Sequence, residues 1–281
     1  MLAITFALAT ALTYGVADYC GGRASRAAAA TVVVLVGQAL SIVVVLVGLA
    51  AFGDPVAPGR DWLIGLVAGV VGAAGLMAFY GAMAVGPMSV VAPVTAVVSA
   101  VVPVVWGLVR GDRPGTVSLV GMAAALVSVA LVSGAGARAG SKVGLDVLAR
   151  SAIGGLGFGG TFILLGETSD HAGLWPLLAM RLASVVLVAS IVRRAGAGLS
   201  IPRHILPLAV ASGSLDVTAN GFYILGTRHG LLSVVAAVSS LYPASTVVLA
   251  SVLDRERVSR SQALGLGFAA AALVLVSIGR A

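Results

Sequence analysis

The sequence predicts an all-α integral membrane protein with ten transmembrane helices, arranged as two inverted five-helix repeats. Three observations support this prediction: the composition, the recurrence of long apolar runs, and a self-match at a constant offset. Of the 281 residues, 59% are hydrophobic and only 10% are charged, whereas about 25% of the residues in a typical soluble domain are charged. Such a chain cannot cover a surface in contact with water, so we expect a lipid bilayer around it.

The apolar runs define ten predicted helices, each long enough to cross about 30 Å of hydrocarbon. Glycine, proline and charged residues separate them, as is typical of turns. The first run lacks the positively charged segment that opens a signal peptide, so we expect it to be retained. The first five predicted helices cover residues 2–20, 31–52, 62–84, 88–109 and 117–134. The second five cover residues 147–166, 173–192, 204–226, 231–252 and 261–279.

The two halves of the chain resemble each other at an offset of 144 residues. Residues 86–133 give 14 identities in 48 positions at this offset, whereas chance in this composition gives roughly 5 or 6. Tyr14-Gly15 in helix one likewise aligns with Phe158-Gly159 in helix six. The sequence therefore predicts two repeats, residues 1–136 and 147–281, joined by a linker at 137–146. Because each repeat has an odd number of helices, the second enters the membrane from the opposite side. This inverted plan is common in transporters, with the solute site at the repeat interface.

The distribution of charge argues against nucleic acid as a partner and bears on sidedness. The net charge is +7, but the basic residues lie between the apolar runs, where loops meet lipid head groups. Eleven of them fall in loops one-two, five-six, seven-eight and nine-ten, and five fall on the opposite side. Since basic loops mark the cytoplasm, charge counting predicts both termini outside. Cys20 is the single cysteine and predicts no disulfide.

Arg181 and Asp216 are the clearest candidates for a functional site. A charge inside a membrane helix costs at least about 2.5–3.5 kcal/mol without a partner. With a rise of about 1.5 Å per residue, the two residues reach a similar depth from the same membrane side, so we expect a salt bridge between them. The pair either lines a solute path or acts only as a structural clamp between adjacent helices.

Two polar stripes accompany this pair. Asp216, Asn220 and Tyr223 follow i, i+4, i+7 spacing, which places them on one face of helix eight. Tyr14 and Asp18 form the second stripe on helix one, with Asp18 nearer the membrane edge. We expect both stripes to bind solute, although Tyr and Asp near a helix end also serve as interfacial anchors.

One segment of the second repeat carries a recognisable order of residues. It runs from Ser240-Leu241-Tyr242-Pro243 to Glu256 and continues with Gln262 and Gly265. This order resembles the EamA-type transporters of the drug/metabolite transporter superfamily, and the resemblance spans nearly the whole chain. Arg181 resembles the arginine that the family has in the second helix of a repeat, and Gln38 stands near the equivalent position of the first repeat, so the resemblance adds Gln38 to the candidate site.

The resemblance implies a multi-pass exporter or importer of small metabolites with no cofactor, no metal and both termini inside, in conflict with the charge count. From the neutral Arg181–Asp216 pair we expect a polar or zwitterionic, amino-acid-like solute, and an exporter in the plasma membrane. Two alternatives stay open, a small-multidrug or cation efflux protein and a non-transporting membrane scaffold. The sequence has no His-Glu-x-x-His motif, no paired intramembrane aspartates and no Cys/His cluster, so it does not predict an enzyme.

Overall fold

Ten membrane spans make up the architecture in the computed structural model, which describes residues 1–85, 88–133, 144–194, 200–255 and 258–279. The side chains of Tyr80, Met83, Ala84, Met88, Ser89, Val90 and Pro93 are not included. In the first repeat the helices are α1 (Leu2–Ser25), α2 (Ala30–Phe52), α3 (Gly59–Val85), α4 (Met88–Arg110) and α5 (Thr116–Ser133). In the second repeat they are α6 (Leu145–Gly166), α7 (Trp175–Arg194), α8 (Leu206–His229), α9 (Leu232–Ser239), α10 (Tyr242–Leu253) and α11 (Arg260–Ile278). The predicted all-α fold with ten spans is confirmed.

Most of these helices meet the requirements of a span by length and composition alone. Eight are long and apolar enough to cross a membrane, if α9 and α10 are taken together as one span, Leu232–Leu253. The other two spans are α4 and α8, with 23 and 24 residues. α8 is less apolar because it carries Asp216, Asn220 and Arg228. Three of the seven predicted site residues, Asp216, Asn220 and Tyr223, lie on this span.

The predicted ninth span, 231–252, matches Leu232–Leu253, but its helix is interrupted at Ser240 and Leu241. α9 ends at Ser239, and α10 begins at Tyr242 with Pro243 in its first turn. Proline has no backbone N–H and its ring clashes with the carbonyl four residues earlier, so a helix cannot continue through it without a kink. The break leaves a helix end inside the membrane. Glu256 and residues 137–143 of the predicted linker lie outside the described residues, and the division into 1–136 and 147–281 stays a prediction.

The helix ends define two faces of the molecule. The start of α1 lies beside the end of α8, where the rings of Phe6 and His229 are 5.6 Å apart. We call this side, which holds Met1 and Gly279, the terminal face. The side that holds Ser25 is the linker face, because α5 ends and α6 begins on that side.

Eight spans form a closed ring around the centre of the protein. In order they are α1, α8, α2, α7, α3, α6, α4 and the ninth span, which returns to α1. α5 and α11 pack as a pair outside the ring, against α4 and the ninth span. If each helix is replaced by its equivalent in the other repeat, the order around the ring stays the same. The contact of α1 with α8 becomes that of α6 with α3, and the contact of α2 with α8 becomes that of α7 with α3. The packing therefore has the two-fold symmetry of an inverted repeat.

The contact between α5 and α11 shows this symmetry at single residues. A Cβ added to Gly121 would lie 2.7 Å from Val276 Cγ2 and 3.0 Å from Leu275 Cβ. A Cβ added to Gly265 would lie 2.7 Å from Val132 Cγ2 and 3.1 Å from Leu131 Cβ. The residue numbers of one contact become those of the other when the repeat offset of 144 is added or subtracted. Such reciprocity is the property of an isologous interface.

Two ion pairs repeat the same relation with the signs of charge exchanged. Arg23 at the end of α1 donates to Asp254 after α10, with 2.9 Å between Nη1 and Oδ1. At the equivalent positions Glu167 follows α6 and Arg110 ends α4, with 3.6 Å between Oε1 and Nε. The first pair lies on the linker face and the second on the terminal face. The first repeat supplies both arginines, and the second supplies both carboxylates.

Candidate functional site

The centre of the candidate site is the ion pair between Arg181 of α7 and Asp216 of α8. Arg181 Nη2 donates to Asp216 Oδ2, which confirms the predicted salt bridge. The side chain of Arg181 is only 3% exposed, whereas that of Asp216 is 39% exposed. The guanidinium is thus buried inside the protein, and the carboxylate lies between it and the exposed side of the site. Pairing offsets the cost of burying the arginine.

Two more of the predicted residues extend this pair into a hydrogen-bonded chain. Asn220 Nδ2 donates to the backbone carbonyl of Asp216 at 2.8 Å. Tyr14 of α1 donates its hydroxyl to Asn220 Oδ1 at 2.7 Å. Because α1 belongs to the first repeat and α7 and α8 to the second, the chain crosses the repeat interface.

Exposure along both polar stripes rises toward the linker face. On α8, Tyr223 is 0% and Asn220 3% exposed, while the side chain of Asp216 is 39% exposed. On α1, Tyr14 is half-buried and Asp18, one turn nearer the linker face, is exposed. Asp18 is nevertheless surrounded by protein and lies within electrostatic range of Asp216. Both carboxylates therefore lie toward the linker face, and we call the region in front of them, between α1, α7 and α8, the vestibule.

An aromatic wall closes the site on its other side. The ring of Phe162 in α6 lies 4.7 Å from that of Tyr223 and 5.9 Å from that of Tyr14. Tyr242, the first residue of α10, lies 6.0 Å from Tyr14 between ring centres. The hydroxyl of Tyr223 is buried and has no hydrogen-bond partner among the described residues. Tyr223 thus belongs to the predicted cluster, but it lies in the wall.

Gln38, like Asp18 and Tyr223, is a predicted residue that lies outside the hydrogen-bonded chain. It follows Gly37, which packs so closely on Gly213 of α8 that neither position has room for a side chain. Gly213 lies about one turn before Asp216. The amide oxygen of Gln38 is buried without a partner among the described residues, so Gln38 offers an acceptor at the edge of the site.

Two residues of the site were missed by the sequence prediction. Phe162 lies 144 positions after Asp18, so the repeat offset marked its place, but a phenylalanine in an apolar run gives no signal of its own. Tyr242 belongs to the motif that carries the family resemblance and was assigned no role there. Its position next to Pro243 puts it at the break of the ninth span.

The chemistry of the site follows from which polar atoms are exposed and which are unpaired. The exposed groups are the carboxylates of Asp18 and Asp216, which attract a cationic group. The buried Nε of Arg181 has no partner among the described residues and is available as a donor to an anionic one. No three His, Cys, Asp or Glu side chains come together as a metal site in the described part of the chain.

Comparison with known proteins assigns the fold and the family. A solved crystal structure that is 16% identical superposes with a TM-score of 0.77, covering 98% of this chain and 96% of its own. At this identity the likeness concerns the fold alone. No curated protein sequence matches the chain.

The family profile named EamA-like transporter family matches residues 1–134 and again residues 148–278. The two matches fall on the two halves that the offset and the packing symmetry relate to each other. Together they cover nearly the whole chain. The protein therefore belongs to the EamA-like transporter family, and it is a multi-pass membrane transporter of the drug/metabolite transporter superfamily.

Proposed function

We propose that the protein is a secondary transporter that exports a small amino-acid-like solute across the plasma membrane. The solute binds in the vestibule between α1, α7 and α8, at Arg181, Asp216, Asn220 and Tyr14. Asp18, Tyr223 and Gln38 complete the site. The observation that carries the proposal is the unequal exposure of the central ion pair, in which the carboxylate is accessible and the guanidinium is buried.

A zwitterion matches this arrangement in both of its charges. Its ammonium group is attracted to the exposed carboxylates of Asp216 and Asp18. Its carboxylate accepts from the unpaired Nε of Arg181 once the solute reaches the depth of the pair. Tyr14 and Asn220 supply neutral hydrogen-bonding groups beside it, as in most small-molecule sites.

The direction of transport rests on the vestibule and on the charge count. The vestibule lies toward the linker face, which the charge count predicts to be cytoplasmic. A cytoplasmic solute then reaches the site directly, which suits export. Termini located in the cytoplasm would instead make the same vestibule face outward.

A second candidate is the efflux of organic cations. It is favoured by the exposure of two carboxylates while the arginine is 3% exposed. A cation would pair with Asp18 and Asp216 and leave Arg181 in its ion pair. The two candidates differ in whether the carboxylate of the solute contributes to binding.

Matched ligands separate the candidates. We would measure binding of leucine and of isopentylamine, the amine that lacks only its carboxylate, by titration calorimetry on the purified protein. Amino-acid transport predicts that leucine binds and isopentylamine does not, whereas cation efflux predicts the reverse preference. Counterflow in liposomes with a panel of amino acids, organic cations and sugar phosphates then identifies the transported class.

Substitutions at the pair test the site itself. Asp216→Asn is expected to abolish counterflow while the protein stays folded in the membrane, and Asp146→Asn, which alters an exposed carboxylate at the start of α6, is the matched control. The double variant Arg181→Ala/Asp216→Ala removes both charges together and avoids an unpaired buried charge. If the double variant transports at the parental rate, the pair is only a clamp and the proposed site is wrong.

A further inference from the structure

The two-fold relation between the repeats distinguishes contacts that persist through the transport cycle from contacts that change. In an inverted-repeat transporter, alternating access exchanges the conformations of the two halves around a fixed site. A contact present at both equivalent positions, such as Gly121 on α11 and Gly265 on α5, therefore survives the exchange. A contact present at only one of them must break when that face opens.

A tight contact on the terminal face joins α6 to the region where α8 ends and α9 begins. A side chain on Gly166 would collide with Leu232 and lie 3.6 Å from Thr227 Cγ2. Gly22 is the equivalent glycine of the first repeat, and a Cβ added there meets no described atom within 4 Å. Among the described residues, the close packing around Gly166 thus has no counterpart around Gly22; the side chains of Met83 and Met88, equivalent to Thr227 and Leu232, are not among them.

The aromatic wall, one helical turn before Gly166 on α6, also differs from the equivalent positions of the first repeat. The rings of Phe162 on α6 and Tyr223 on α8 lie 4.7 Å apart between centres, tilted by 35°. The residue equivalent to Phe162 is Asp18, which is exposed. The residue equivalent to Tyr223 is Phe79, which contacts Phe158 with 6.1 Å between the rings.

Arg228 adds a polar tie at the membrane surface. Its Nη2 donates to the carbonyls of Ser169 at 3.1 Å and Gly173 at 3.4 Å, in the loop between α6 and α7. Asp54, Asp61 and Asp170 lie within electrostatic range of it. The sequence has Ala84 at the equivalent position of the first repeat, so that position supplies no guanidinium.

We propose that the α6–α8 contact, formed by Phe162, Tyr223, Gly166 and Arg228, is the gate of the terminal face, with Arg228 as its latch. Opening this face separates α6 from α8 and releases Arg228 from the two carbonyls. The same movement brings α1 toward α3 and buries Asp18. This inference goes beyond the identity of the solute, because it concerns the path out of the site.

A reporter cysteine beneath the gate measures its opening without any solute. Leu177 is 1% exposed and lies one turn from Arg181 toward the terminal face, on the same side of α7. In a Cys20→Ser background, we would follow maleimide labelling of Leu177→Cys by peptide mass spectrometry. Arg228→Ala is expected to raise the labelling rate roughly fivefold, since two hydrogen bonds that hold the gate closed are lost. Arg60→Ala, which removes an exposed cation from the same face, should leave the rate unchanged.

A disulfide across the gate supplies the opposite perturbation. Gly166→Cys/Thr227→Cys, oxidised before labelling, should lower the rate at position 177 below that of the parent and below that of the same variant left reduced, which carries the same clash with Leu232. The disulfide variant tests the proposed gate even if Arg228→Ala fails to fold. The proposal is overturned if Arg228→Ala labels at the parental rate, if Arg60→Ala raises it equally, or if the oxidised protein labels as fast as the parent. A failure of leucine to bind would reject the proposed solute and leave this result unaffected.

Discussion

Replacing either glycine of the α5–α11 contact by alanine tests the inverted repeat energetically. In both Gly121→Ala and Gly265→Ala the new Cβ lies 2.7 Å from a valine methyl group and about 3 Å from a backbone nitrogen. Neither neighbour can rotate away, so the helices must separate by a few tenths of an ångström. Overpacking of this kind costs about 1–3 kcal/mol. Because the surroundings match so closely, we expect the two costs to agree within about 0.5 kcal/mol.

Thermal unfolding in detergent, followed by tryptophan fluorescence, measures this prediction. At about 2–4 °C for each kcal/mol, either variant should lower the midpoint by about 5 °C. Gly267→Ala is the control on the same helix, since a Cβ there meets no described atom within 4 Å, and it should not lower the midpoint. A large loss in one glycine variant with none in the other would refute the reciprocal packing.

Three further predictions concern single features. Tyr14→Phe removes the 2.7 Å hydrogen bond to Asn220, so solute affinity measured by calorimetry should fall roughly fivefold, the equivalent of about 1 kcal/mol; an unchanged affinity would remove Tyr14 from the site. Asp61 is 1% exposed and accepts from the backbone N–H and hydroxyl of Ser169 at 2.9 and 2.7 Å. Asp61→Ala should therefore destabilise the protein by about 3 kcal/mol in thermal unfolding, and a midpoint like that of exposed Asp170→Ala would contradict this. A reporter fused to the carboxyl end should signal from outside the cytoplasm if the charge count is right, and a cytoplasmic signal would reverse the assigned sidedness.

The positions of the spans were predictable because the bilayer fixes their length and excludes polar residues from them. Nine predicted spans match continuous helices with ends that differ by a few residues. The ninth span was predicted as unbroken because its apolar run has no gap at Ser239. Pro243 was the available signal for the break, but proline is often tolerated in membrane helices, so its effect depends on the neighbours of α9 and α10.

The ion pair between Arg181 and Asp216 was predictable for an electrostatic reason. Charges inside a membrane are so costly that two of them at one depth must meet. Their unequal exposure was not predictable, since it depends on how the neighbouring helices pack around each side chain. The aromatic wall escaped prediction because Phe162 differs from its apolar neighbours only in its tertiary contacts.

The exchanged charges of the two ion pairs bear on how the halves recognise each other. Arg23 and Arg110 belong to the first half, and Glu167 and Asp254 belong to the second. If two first halves associated with each other in this geometry, arginine would face arginine at both faces, and two second halves would oppose carboxylates. Each exposed pair contributes at most about 1 kcal/mol, but the same residues both favour the mixed assembly and disfavour the two uniform ones. The chain thus encodes the assembly of unlike halves in four surface residues, independently of the covalent link between them.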